Sequence, residues 1–162
     1  MNGIIAAFAG TGKTKLAAMY PDMVVDFVCM PYKYYLIQEY DNGESSKRNP
    51  ENTIREDWPL NYLEAIKSAL GSGKTLLIPS DIRVLSMLQK EKITYILCYP
   101  QRELKDVYRQ RYIDRGNTEE FLSVFIDGWD WFLNALENIE AESHFVLAQN
   151  QFLSDVFSVF CQ

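Results

Sequence analysis

Residues Gly10-Thr11-Gly12-Lys13-Thr14 combine two glycines, a lysine and a hydroxyl at a spacing suited to holding a phosphate chain. Read from Ala7, the segment follows the G-x-x-x-x-G-K-[ST] pattern, with Ala7 standing where the first glycine belongs. The flanking sequence supplies what that chemistry needs. An apolar run, Gly3 to Ala9, reads as a strand before the loop, and Lys13 to about Tyr20 reads as a helix after it, stopped by Pro21. Gly10 and Gly12 let backbone N–H groups turn inward, and the new helix aims its positive end at the same anion. Ala9, Gly10, Thr11, Gly12, Lys13 and Thr14 are therefore the expected nucleotide-binding set. Lys13 is expected to reach the β- and γ-phosphates, and Thr14 to ligate Mg²⁺.

A second copy of the five-residue pattern, Gly71-Ser72-Gly73-Lys74-Thr75, has the opposite surroundings. Pro59 to Leu70 reads as a helix before it and Thr75 to Pro79 as a strand after it, so no helix N-terminus faces a phosphate there. It reads as a helix-ending turn.

The elements that must position the first loop alternate in type. Met23 to Cys29 reads as a second strand, Thr75 to Pro79 as a third, Ile93 to Tyr99 as a fourth and Phe145 to Ala148 as a fifth. Between them, Ser80 or Asp81 can cap a helix running to about Glu91, and Gln101 to Arg115 is helical with Gly116 as its stop. Asn117 opens the strongest helix, with Glu120 at its capping-box position and an apolar stripe of Leu122, Phe125, Ile126, Trp129, Phe132, Leu133 and Leu136. A short helix through Val156 closes the chain. Strands alternating with helices predict an α/β fold with a parallel sheet covered on both faces.

The chain has 162 residues, 48% of them hydrophobic and 23% charged, which fits one globular domain. Residues 30–58 form a polar, aromatic stretch without a period, the length of a functional insertion. No apolar run approaches the ~20 residues of a membrane-spanning helix, and Met1-Asn2-Gly3 lacks a basic leader segment. Cys29, Cys98 and Cys161 are far apart, with no CxxC pair, which argues against a zinc site or a disulfide framework. A reduced, cytoplasmic protein is the expectation. The single histidine, His144, reads as structural. Net charge is −6, which argues against nucleic acid as a partner. All 16 basic residues lie at or before Arg115, and the 47 residues beyond it hold eight acids. Arg102, Lys105, Arg109, Arg111 and Arg115 cluster at that boundary, a spacing that suits a compact anion.

Neither D-x-x-G nor N-K-x-D occurs, so the chain lacks the signatures of a GTPase. In size and element order it resembles the small P-loop nucleotide kinases of the adenylate-kinase and shikimate-kinase kind. It is more similar still to small kinase-like P-loop proteins of bacteria and phages, through Asp26 with Pro31-Tyr32-Lys33-Tyr34 and through Tyr99-Pro100, Leu104-Lys105, Tyr108, Arg111-Tyr112 and Arg115-Gly116-Asn117.

The resemblance implies a three-layer P-loop NTPase fold whose five-stranded parallel sheet runs in the order 2-3-1-4-5. It implies ATP and Mg²⁺ as cofactors, a metal set of Thr14 with Asp26 or Asp81, and a lid at about 109–117 in which Arg109, Arg111 and Arg115 act on the transferring group beside Lys13 and Asp26. Tyr32 and Tyr34 would then stack on a base, with Tyr35 and Tyr40 as further candidates, and Lys33 and Arg55 would hold an acceptor's phosphate. The expected activity is phosphoryl transfer to a nucleoside monophosphate. Two alternatives stay open: a kinase of a nucleoside or other small metabolite, and an ATP-binding regulator with little turnover. Nothing in the sequence sets an oligomeric state.

Overall fold

The structure is a computed structural model that describes residues 3–37, 47–48 and 53–160. Tyr40 and Cys161 lie outside the described residues. The elements are β1 (Ile4–Ala7), α1 (Lys13–Met19), β2 (Val24–Asp26), α2 (Met30–Lys33), β3 (Leu36–Ile37), β4 (Lys47–Arg48), α3 (Leu60–Ala69), β5 (Thr75–Pro79), α4 (Ile82–Lys90), β6 (Ile96–Pro100), α5 (Lys105–Asp114), α6 (Glu119–Leu122), α7 (Trp129–Asn138), β7 (Ser143–Leu147) and α8 (Leu153–Phe160).

Five strands form one all-parallel sheet in the order β2-β5-β1-β6-β7. Counted within that sheet alone, this is the 2-3-1-4-5 order implied by the resemblance. β3 and β4 pair antiparallel as a separate ribbon inside the insertion. Among the described residues, no helix is long and apolar enough to cross a membrane.

β1 is central because it is apolar on both faces. Ile4, Ala6 and Phe8 enter one core with Tyr62 and Ile66 of α3, Leu85 and Leu88 of α4, and Trp129 and Leu133 of α7. Ile5 and Ala7 enter the other with Leu16 of α1 and with Leu153 and Phe157 of α8. The period-2 alternation of a strand thus divides one four-residue run between two helical layers. Truncating one of the larger of these side chains to alanine would cost about 2–5 kcal/mol. Ala7 pairs with Pro79 and Cys98 in the sheet, so it is an ordinary strand residue. Its position does not need a glycine's freedom.

Several elements depart from the sequence reading. The second strand, expected over Met23 to Cys29, spans only Val24–Asp26, because the chain turns at Cys29, the N-cap of α2. The helix expected from Asn117 is capped by Thr118, whose side chain accepts from the Phe121 N–H. It is also not continuous. Ser123–Asp127 widens into a π-helical stretch, and the chain passes Gly128 before α7 begins. A Cβ at Gly128 would lie 2.5 Å from the Val124 carbonyl oxygen, so only glycine fits this turn. The apolar stripe survives, because Ile126, Trp129, Leu133 and Leu136 remain buried.

The fourth strand starts at Ile96 rather than Ile93, because Ile93 N–H closes the end of α4 on the Leu88 carbonyl. The fifth begins at Ser143, earlier than expected. It lies on the sheet edge, where alternate side chains, His144 and Val146, face outward.

Candidate functional site

The site lies at the carboxyl ends of the parallel strands, where β1 passes through the glycine loop into α1. Gly10 and Gly12 adopt φ of +80° and +95°, the left-handed region that makes the loop turn. Gly12 is the N-cap of α1, so the unpaired N–H groups of that helix open into the loop. The Lys13 ammonium folds back onto the carbonyls of Ala7 at 2.8 Å and Phe8 at 3.1 Å. Burial, only partly offset by the negative charge of Asp26, lowers its pKa from 10.5 to about 8, and the positive charge of Arg115 adds to the lowering. The Thr11 hydroxyl donates to the Phe8 carbonyl at 2.8 Å and fixes the loop from inside.

Thr14, one residue into α1, donates its hydroxyl to Asp26 Oδ2 at 2.6 Å. Asp26 is the last residue of β2, so the strand two places from β1 in the sheet delivers its carboxylate to the start of the helix. A hydroxyl beside a carboxylate at a phosphate loop is a donor set Mg²⁺ takes, since that ion keeps several waters and needs few protein oxygens. Among the described residues no cluster of three or more His, Cys, Asp or Glu forms a closed metal cage.

α5 braces the loop from outside. Arg111 Nη1 donates to the Gly10 carbonyl at 2.8 Å, and the Tyr112 hydroxyl donates to the Ala9 carbonyl at 2.8 Å. The Arg111 guanidinium lies 4.4 Å from the Tyr108 ring centre and 4.3 Å from that of Phe152. Phe152 in turn sits against Gly12, and Leu153 N–H bonds the Thr11 carbonyl. Tyr112 and Phe152 escaped the sequence reading as loop supports. Only the Arg111-Tyr112 pairing next to the basic cluster pointed toward them.

A cavity of about 620 Å³ opens beside the loop. Ala9, Lys13 and Asp26 line it, together with Lys33, Tyr34 and Asp81. Asp81 caps α4 by accepting from the Arg83 N–H at 3.0 Å, and it pairs with Lys33 at 3.4 Å. Burial raises its pKa, but the hydrogen bond from Arg83 and the charges of Lys33 and Arg83 outweigh that, so it falls below the usual value. Cys29 also lines the cavity, and burial pushes its thiol pKa up, away from reactivity. Further wall comes from Gly116 and Asn117, which belong to the expected lid at about 109–117, from Thr118, and from Glu120, Phe121, Val124 and Phe125, which fall in the helix expected from Asn117.

The structure therefore gathers Ala9, Lys13, Asp26, Lys33, Tyr34 and Asp81 around one space. The other candidates do not line it. Gly10, Thr11, Gly12 and Thr14 lie in the loop and the start of α1, Arg111 is turned onto the loop, and Arg115 is exposed at the end of α5. Arg55, Tyr32 and Arg109 are engaged or exposed elsewhere. Arg55 is forked onto Asp57, with both N···O distances 2.9 Å, because the two lie close enough in the chain to pair locally. Tyr32 packs its ring against Phe27 and Tyr62. Arg109 is exposed on α5, on a different face from Arg111. Tyr35 is also exposed, beneath the Arg55 guanidinium. His144 hydrogen-bonds Tyr99 at the sheet edge.

No protein-family model matches this chain, and no curated protein matches it in sequence.

Proposed function

We propose that the chain is an ATP-dependent phosphotransferase that acts on a small molecule held in the cavity beside the glycine loop. One observation carries the reading: the loop lysine and Asp26, which accepts from the Thr14 hydroxyl, line the same cavity as Lys33 and Asp81. Donor and acceptor can thus share one cavity, the proximity that in-line transfer requires. The resemblance to small P-loop kinases supports it further.

In this reading the loop amides and the start of α1 hold the β- and γ-phosphates, and Lys13 neutralises charge as it builds on the γ-phosphate oxygens. Thr14 and Asp26 hold Mg²⁺, which when bound with ATP supplies the remaining positive charge. Arg115, whose charge is felt at Lys13, adds to the field from α5. Arg111 keeps the loop in shape through Gly10. Asp81 faces the acceptor and accepts a hydrogen bond from its hydroxyl. The nucleoside monophosphate expected from sequence and the unphosphorylated acceptor are the competing substrates.

The test is ADP release from Mg²⁺-ATP across a panel of phosphorylated and unphosphorylated acceptors. Acceptor-dependent release is expected, and Asp26→Asn should lower it by roughly 10²-fold and raise the Mg²⁺ requirement. Tight ATP binding with no acceptor-dependent release would instead favour a nucleotide-binding regulator.

A further inference from the structure

We infer that the acceptor taken by this cavity is an uncharged alcohol with an apolar or aromatic body, a nucleoside being one such compound, and not a phosphate ester. The inference rests on the phosphotransferase reading and concerns only what sits across from the glycine loop.

A phosphorylated acceptor brings close to two negative charges into a confined site. Taking them out of water is costly unless fixed cations stand ready. Among the described residues the cavity offers two cations, Lys13 and Lys33, against three acids, Asp26, Asp81 and Glu120. Lys13 belongs to the loop and is committed to the donor's phosphates. Lys33 is held by Asp81 at 3.4 Å and lies over the rings of Trp58 and Tyr34, at 5.4 and 5.7 Å. Drawing Lys33 onto a substrate phosphate would leave Asp81 balanced by Arg83 alone, itself 3.4 Å away. Arg55, the other cation the sequence offered for an acceptor's phosphate, is bound to Asp57 outside the lining. Glu120 adds a further negative charge on the wall.

Much of the remaining wall is apolar, through Val28, Met30, Phe121, Val124, Phe125 and Phe132, and its uncharged polar residues include Asn117 and Thr118. Val28 and Val124 are 47% and 54% exposed, so the wall offers apolar surface that a ring or hydrocarbon body would cover. Ser80, at 3% exposure, and Asp81 follow directly from the end of β5, close enough in the chain to recognise a single hydroxyl.

The chemistry balances with these groups. The acceptor's hydroxyl oxygen bonds to the γ-phosphorus as the bond from that phosphorus to the β–γ bridging oxygen breaks. The bridging oxygen keeps the electron pair and leaves as part of ADP. The hydroxyl proton passes to Asp81 and then to solvent, and the products are ADP and a phosphate monoester. In a loose transition state the proton departs late, so a hydrogen-bond-accepting carboxylate suffices.

The experiment compares kcat/KM for ADP release by the full chain with matched pairs, each nucleoside against its 5′-monophosphate, and with aryl and alkyl alcohols. Unphosphorylated acceptors are expected to exceed their monophosphates by at least ~10-fold. Glu120→Lys adds a cation at an exposed helical position of the wall and should shift that ratio toward the monophosphate by about 10-fold, with Glu120→Gln shifting it less. A monophosphate preference in the unmodified protein overturns the acceptor assignment and leaves the phosphotransferase reading standing. A flat panel with ATP still bound overturns the phosphotransferase reading, and this inference with it.

Discussion

Residues 10–14 and 71–75 carry the same Gly-x-Gly-Lys-Thr pattern, yet they have become different objects. The first joins β1 to α1, and the second joins α3, through a short 3₁₀ turn, to β5. Lys13 folds back onto its own loop, whereas Lys74 reaches an exposed turn and donates to the Pro21 carbonyl at 2.8 Å. Thr14 offers its hydroxyl to Asp26, whereas Thr75 is buried in β5 with its backbone registered on Val24. The glycines provide a turn in both cases. What differs is the next element: a helix start presents unpaired N–H groups to an anion, and a strand start gives its N–H groups to the sheet. Five residues thus encode a turn, and the element that follows decides whether the turn binds anything.

The largest effect should separate the two lysines. Lys13→Ala is expected to lower acceptor-dependent ADP release at least ~100-fold, because it removes a preorganised cation from the transferring phosphate. Lys74→Ala should change it less than about twofold, since an exposed contact to one carbonyl contributes little. Steady-state rates on both variants decide the point, and equal losses would erase the distinction between the loops.

A smaller effect should separate the glycines. Gly10 and Gly73 have nearly the same backbone angle, φ +80° and +81°. A Cβ at Gly10 would lie 2.8 Å from Tyr112 Cε1, while one at Gly73 would meet nothing within 4 Å. Both alanine substitutions carry the left-handed backbone cost of about 1 kcal/mol. Gly10→Ala adds the displacement of Tyr112, a further cost of about 1–3 kcal/mol. Denaturant midpoints of the two variants therefore subtract to the strength of the α5 brace. Equal destabilisation would mean that Tyr112 yields freely.

The same contrast explains what sequence could show. Thr75–Pro79 was readable to the residue because it is a short apolar run bounded by Gly73 and Pro79. The role of the second glycine pattern was readable because its neighbours are in the wrong order. Lys13 and Thr14 follow from local spacing, and Asp26 stood out as a carboxylate inside an expected apolar strand, Met23 to Cys29, which in the structure ends at Asp26. Arg55 misled because a carboxylate two residues away competes for it, and Tyr32 because its ring is used in packing. The widened turn at Gly128 was hidden because the apolar stripe runs through it unbroken. Part of the cavity's wall was hidden for the same reason: Phe125 and Phe132 carry the periodicity of a core helix while also lining a cavity.

The subtlest difference should be visible in protons. Burial under the loop lowers the Lys13 pKa from 10.5 to about 8, and bound phosphates must raise it again by offering the ammonium an anion. ATP binding should therefore take up about half a proton at pH 8 and close to one at pH 9, but only about a tenth at pH 7, where Lys13 is already charged. Affinity should accordingly fall as pH rises above 8.

The unliganded protein has the matching signature. The unfolded chain holds this proton up to about pH 10.5 and the folded chain only to about pH 8, so this lysine makes stability rise with pH between those values. Titration calorimetry in two buffers of different ionisation enthalpy, at pH 7 and at about pH 8.5, reads the uptake directly. Lys74→Ala should leave it unchanged and Lys13→Met should abolish it. Uptake that persists without Lys13 would assign the proton to another group and remove the Lys13 ammonium from contact with the phosphates.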